Sequence, residues 1–224
     1  MNIYTQNKKI FFNNAFILFF IALLIRLIYL ILQNPNVEKL IEDELLYWNA
    51  SLTYLDKGYL EESVKAERMF GIFIYTKLLL ILSLKSLKVY LIFQSILDSF
   101  NCFIIYKIGN LILPKQKLYI YISAVISPLM IILSSQVLSE TIFLFFFTSF
   151  LYFSAKVILE NNNLLYKMAM AGLFLGFSTT IRSITYPLIY LSICPFIIIL
   201  LKKDILKYKI LLSSSFHVLG SAKT

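Results

Sequence analysis

The chain has 224 residues, of which 59% are hydrophobic and 15% charged, and its formal net charge is +9. Apolar runs of about 20 residues, the length a helix needs to cross a bilayer, recur along it, which excludes a soluble globular domain. The runs lack the period-two alternation of a barrel. The basic residues are scattered between them, without the one-face clustering that a nucleic-acid surface requires.

Phe (20) and Tyr (15) are abundant, whereas Gly (6) and Pro (5) are sparse, so the spans are expected to be mostly regular helices. Cys102 and Cys194 each sit inside an apolar run and read as packing residues. His217 is the only histidine, which argues against a His-based metal site or general base.

Lys8 and Lys9 precede an apolar run at 11–32, too long for a signal-peptide core and without a small-x-small cleavage site, so it reads as an uncleaved signal anchor. The polar stretch 33–68 follows, with eight of the twelve acidic residues. Further apolar runs occupy 90–106, 118–133, 140–159, 168–181 and 187–201. Segment 70–87 is apolar but short, and Lys77 and Lys85 interrupt it.

The positive-inside rule decides how that segment is read. If it does not cross, eleven basic residues fall inside (Lys8, Lys9, Lys107, Lys115, Lys117, Lys156, Lys167, Lys202, Lys203, Lys207, Lys209), against seven in the outer region from Lys39 to Lys88. If it crosses, four fall inside and thirteen outside. The first parse gives an all-α, polytopic bundle of about six spans, with an outer loop at 33–88 bearing membrane-surface helices. The module is expected to cover 1–209, with 210–224 an unfinished further span or truncated tail.

In the outer loop, 40–57 has helical periodicity with Leu45, Trp48, Leu52 and Leu55 on one face, which suits the membrane surface. Asp43, Tyr47, Ala50 and Tyr54 line another face, and Gly58 is placed to end the helix. A carboxylate is thus expected just above the bilayer. The simpler reading is that Glu42, Asp43 and Glu44 complement the helix macrodipole. Glu140 opens one run and Arg182 closes another, both on the outer side; each is a functional-site candidate, against solvation for Glu140 and snorkelling for Arg182. Gln94, Asp98 and Asn101 fall at i, i+4 and i+7 and are expected to hydrogen-bond between helices. Arg26 either pairs with such a carboxylate or reaches the outer headgroups. Gly172 and Gly176 form a small-xxx-small pair expected to allow close helix contact.

Asp43-Glu44-x-x-Tyr47-x-x-Ala50 with Gly58, the 94–98 region, Ser139-Glu140 and Gly172-x-x-x-Gly176 ending in Thr180-Ile-Arg182 resemble, in order, the N-terminal part of the GT-C membrane glycosyltransferases. The most similar type is the protein O-mannosyltransferase and aminoarabinose-transferase group, which uses polyprenyl-phosphate sugars. The resemblance implies that Asp43 and Glu140 are the acidic residues of the active centre, with Glu44 and Tyr47 beside them. Arg68, Arg182 and Arg26 are the candidate phosphate ligands. Where such enzymes commonly show a Pro pair, this chain has Met69-Phe70-Gly71. The implied partners are a polyprenyl-phosphate-linked sugar, a lipid or protein acceptor and membrane lipids, with no nucleic acid.

The chemistry fits independently. A carboxylate can take the proton of an acceptor hydroxyl, and arginines can stabilise the departing phosphate. No cofactor is called for, and the residues leave open whether a divalent metal bridges carboxylates and phosphate. The expected setting is the inner (plasma) membrane of a bacterium, with a cytoplasmic N-terminus. The alternatives are a non-enzymatic transport component whose polar stripe lines a path, and an inactive fragment. Asp43 and Glu140 are expected to approach the same outward-facing cavity, with Arg182 or Arg68 at its rim.

Overall fold

The computed structural model describes residues 3–60, 69–160, 162–185 and 187, with side chains from Ile17 onward. Arg68, most of the apolar run 187–201 and the tail 210–224 lie outside the described residues. Among those described, every regular element is helical. The α-helices are α1 (Ile3–Gln33), α2 (Glu42–Lys57), α3 (Phe70–Leu82), α4 (Leu87–Ile112), α5 (Lys117–Val125), α6 (Pro128–Ser134), α7 (Glu140–Leu159) and α8 (Leu164–Ile181).

Helices α4, α7 and α8 are long and apolar enough to cross a membrane, and α5 with α6 passes as a fourth when the bent pair is taken as one span. At about 1.5 Å per residue the 26 residues of α4 exceed the bilayer's ~30 Å hydrocarbon core. In α1, Ala22, Arg26 and Leu30 are buried at a spacing of four, while Ile17, Phe20, Leu24, Ile28 and Ile31 are exposed. That division is the signature of a helix with one protein-facing stripe and a wide apolar face. Helix α4 is the central post, packed by α1, α5 and α7, and α8 lies along α7.

The polar stripe of α4 makes its contacts to other elements, although Gln94 Oε1 and Asn101 Nδ2 find no partner among the described residues. Gln94 Nε2 donates to the Leu138 carbonyl (3.4 Å), Asp98 pairs with Arg26 of α1, and Asn101 accepts from Thr148 of α7. Thus one helix face ties down three neighbours.

The run predicted as a regular span at 118–133 is broken instead. Helix α5 stops at Val125, α6 starts at Pro128, and the two are bent by 51°. Pro128 has no N–H to continue the ladder and biases the preceding residue away from helix, and Ser127 is found at ψ 114°. The break frees carbonyls at the end of α5. The Arg26 guanidinium donates to two of them, Val125 O at 3.0 Å and Ala124 O at 3.4 Å.

Helix α2 packs on α3. The expectation that its Leu45–Trp48–Leu52–Leu55 face meets the membrane surface is corrected: Trp48 is buried, edge-on to the Tyr90 ring of α4 at 5.7 Å. Leu52 and Leu55 pack on the same core, and Leu45 alone of the four is exposed. The reason is α3, which offers Ile72, Phe73 and Leu80 as a protein surface to cover. Gly58 ends α2 in the left-handed conformation (φ 79°), its N–H bonded to Tyr54 O.

Segment 70–87 forms the 13-residue α3, too short at about 20 Å to cross a bilayer. The lysines that interrupt it face α2. Lys77 lies 3.9 Å above the Tyr54 ring and donates to the Tyr54 carbonyl, and Lys85 pairs with Asp56 at 2.9 Å. A turn with Leu84 and Lys85 at positive φ then leads into α4.

A close glycine contact is made where no motif marks it. Among the described residues a Cβ added at Gly172 or Gly176 would meet nothing within 4 Å, whereas one at Gly71 would fall 2.5 Å from the Thr180 carbonyl oxygen. Gly71 is therefore what lets α3 approach the end of α8.

Candidate functional site

Three segments converge at the end of the bundle where α7 begins and α8 ends. The first two turns of α2 supply Asp43 and Tyr47. The turn entering α7 supplies Ser139 and Glu140, and the exit from α8 supplies Arg182 and Ser183. Together with Met69 and Ile181 these residues line a cavity of about 220 Å³. Asp43 and Glu140 are thus brought to one cavity across almost a hundred residues of sequence.

Within it Arg182 Nη1 donates to Glu140 Oε1, and Ser139 Oγ donates to Glu140 Oε2 (3.3 Å). The Arg182 and Glu140 side chains are 39% and 30% exposed, so the pair is wetted rather than sealed. Each also suits its helix end, Glu140 in the first turn of α7 and Arg182 just past the last turn of α8. The Arg182 guanidinium lies 5.9 Å from the centre of the Phe143 ring, which restricts its swing.

Compared with protein-family models, curated proteins and solved structures, the chain matches none.

Beside the polar cavity runs an apolar one of about 520 Å³, lined by Gly71, Tyr75, Phe146, Phe177 and others. Met69 and Ile181 belong to the walls of both. Little in the sequence pattern marks this second space, because its lining is mostly ordinary apolar helix residues. Its one visible cue is Gly71, which stands where the resemblance leads one to expect a Pro pair.

Two candidate ligand-binding residues lie elsewhere. Glu44 is buried beneath α2, where its carboxylate accepts the backbone N–H of Val137 at 3.0 Å, and it does not line the cavity. Desolvation raises its pKa from the ordinary 4.5, against the lowering effect of the Val137 bond. Arg26 is fully buried, its Nε 2.7 Å from Asp98 Oδ2 and its Nη2 3.0 Å from Cys102 Sγ. It pairs with a span carboxylate, one of its two expected roles, and is held away from the cavity. Arg68 lies outside the described residues. Among those described, no three His, Cys, Asp or Glu side chains gather as a metal group, and the cavity offers two carboxylates, Asp43 and Glu140.

Proposed function

We propose that this chain belongs to a membrane glycosyltransferase that moves a sugar from a polyprenyl-phosphate carrier to a lipid or protein acceptor on the non-cytoplasmic face. The observation that carries the reading is the junction of the two cavities. A polar pocket holding Asp43, Glu140 and Arg182 opens beside an apolar one along shared walls at Met69 and Ile181. A substrate with a charged head and a long hydrocarbon tail needs both in contact.

In the reaction, the acceptor oxygen forms a bond to the anomeric carbon while the bond from that carbon to the phosphate oxygen breaks, with inversion. The electron pair leaves with the phosphate, and the acceptor proton passes to Asp43. Arg182 is the cation positioned to meet the phosphate charge as it develops, and the Glu140 carboxylate orients it. The reading takes the bundle to be six spans in a bacterial inner membrane with the N-terminus in the cytoplasm. Its support is the distribution of charge: Lys156 and Lys167 lie at the far end from Asp43, where α7 ends and α8 begins, as the positive-inside rule asks of a cytoplasmic end.

A transport reading draws on one observation, the broken span. Asp98 of the stripe is held by Arg26, however, as are the carbonyls freed at the break, and a path would need these open to a passenger.

The test is binding and transfer by the natural full-length protein. Undecaprenyl phosphate should be retained over phosphatidylglycerol in native mass spectrometry, and Arg182→Gln should weaken that retention. Asp43→Asn should abolish sugar transfer while leaving folding and insertion intact. Equal retention of both lipids, or near-normal transfer by the Asp43 variant, would overturn the reading.

A further inference from the structure

Glu44 is adjacent to the proposed base but is absent from the cavity. Its carboxylate passes inward beneath α2 and accepts the N–H of Val137, 93 residues away. Val137 sits in the turn 135–139 that delivers Ser139 and Glu140, and the next carbonyl of that turn, Leu138 O, accepts from Gln94 of α4. The turn is therefore gripped from two sides, by a bond to α2 and a bond to α4. Besides its own short-range bonds to the end of α6, these are the two bonds that tie it to α2 and α4 among the described residues.

We infer that Glu44 is a positioning residue that sets the spacing between the Asp43 wall and the Glu140 wall of the cavity by holding Val137. The catalytic half of this statement rests on the transferase reading; the geometric half does not. An acceptor oxygen at the correct distance is what the role requires, and negative charge is not. A glutamine keeps that oxygen at the same reach, whereas an aspartate keeps the charge but is one methylene shorter.

The experiment compares Glu44→Gln with Glu44→Asp in the full-length protein. Spin labels are placed at cysteines replacing Asn49 on α2 and Gln136 in the turn, with Cys194 changed to serine. Glu44→Gln should keep the narrow wild-type distance distribution and near-wild-type transfer. Glu44→Asp should broaden or lengthen the distance and lower kcat by on the order of 10- to 100-fold, the loss typical of a misplaced catalytic group. Unchanged distances in the aspartate variant overturn the inference. So does an active Asp variant beside an inactive Gln variant, which would mean that the charge acts directly. If the wild-type protein transfers no sugar, the transferase reading falls, and the distances alone decide whether Glu44 is the strut.

Discussion

Among the described residues two arginine–carboxylate pairs bridge helix elements, and their surroundings differ completely. Arg26–Asp98 is sealed, its side chains 0% and 2% exposed, and the guanidinium also serves Cys102 and the carbonyls at the end of α5. Arg182–Glu140 stands in a cavity, partly wetted, with helix dipoles favouring each partner in place. In the first pair almost every donor is committed to holding three helices together, so no ligand can compete for it. In the second, exchange of the carboxylate for another anion costs little, because water already screens the pair. The same two side chains thus make a structural joint at one depth and a usable site at another.

The largest difference should appear on breaking each pair. Arg26→Leu leaves Asp98 buried without its cation and should destabilise the protein by about 3–5 kcal/mol, seen as loss of the folded species in detergent melts. Replacing both partners, Arg26→Met with Asp98→Leu, should recover only part of this, because the Val125 carbonyl then lacks a donor. Full recovery would mean that the helix break does not need Arg26.

Next in size is the approach of α3 to α8 beside the exposed pair. Gly71→Ala places a methyl against the Thr180 carbonyl oxygen and should cost about 1–3 kcal/mol by forcing the helices apart. Gly176→Ala, whose added methyl meets none of the described residues, should be neutral or stabilising by up to ~1 kcal/mol. Equal effects of the two would show that the Gly71 contact is soft.

Glu140→Gln should lower stability by less than about 1 kcal/mol, as for other exposed pairs, and still depress transfer. A stability loss matching that of Arg26→Leu would erase the contrast between the pairs.

The smallest effect is pH dependence. The Glu44 carboxyl is raised above its ordinary value by desolvation. Between the unfolded and folded values the native state therefore binds more protons, so stability should fall as pH rises through that window, from about pH 4 upward. Glu44→Gln should remove that slope from the melting temperatures.

Much of this arrangement was legible in the residues. The helix at Glu140–Leu159 coincides with the run read between Ser139 and Glu160, and the i, i+4, i+7 stripe of α4 bonds between elements because polar atoms among apolar helices need partners. What failed had physical causes of its own. The Trp48 face is apolar, and apolarity alone does not distinguish lipid from the apolar side of α3. Gly71, with no motif around it, is the residue that meets the Thr180 backbone. Pro128 was visible, but the apolar run around it hid the break. Arg26 has a carboxylate partner 72 residues away, which no local period predicts, and Glu44 and Asp43 are adjacent in sequence yet point to different places.

The broken span also dictates an order of events during synthesis. The exposed ends of α5 are satisfied by an arginine on the first helix, 99 residues nearer the N-terminus than Val125. A chain made from its N-terminus has that helix, and then the Asp98 partner on α4, in place before the kinked segment leaves the ribosome. Taken as one span, the kinked pair would enter the bilayer with its donor already waiting. Were the order of these segments reversed, bare carbonyls would have to sit in hydrocarbon until their partner arrived.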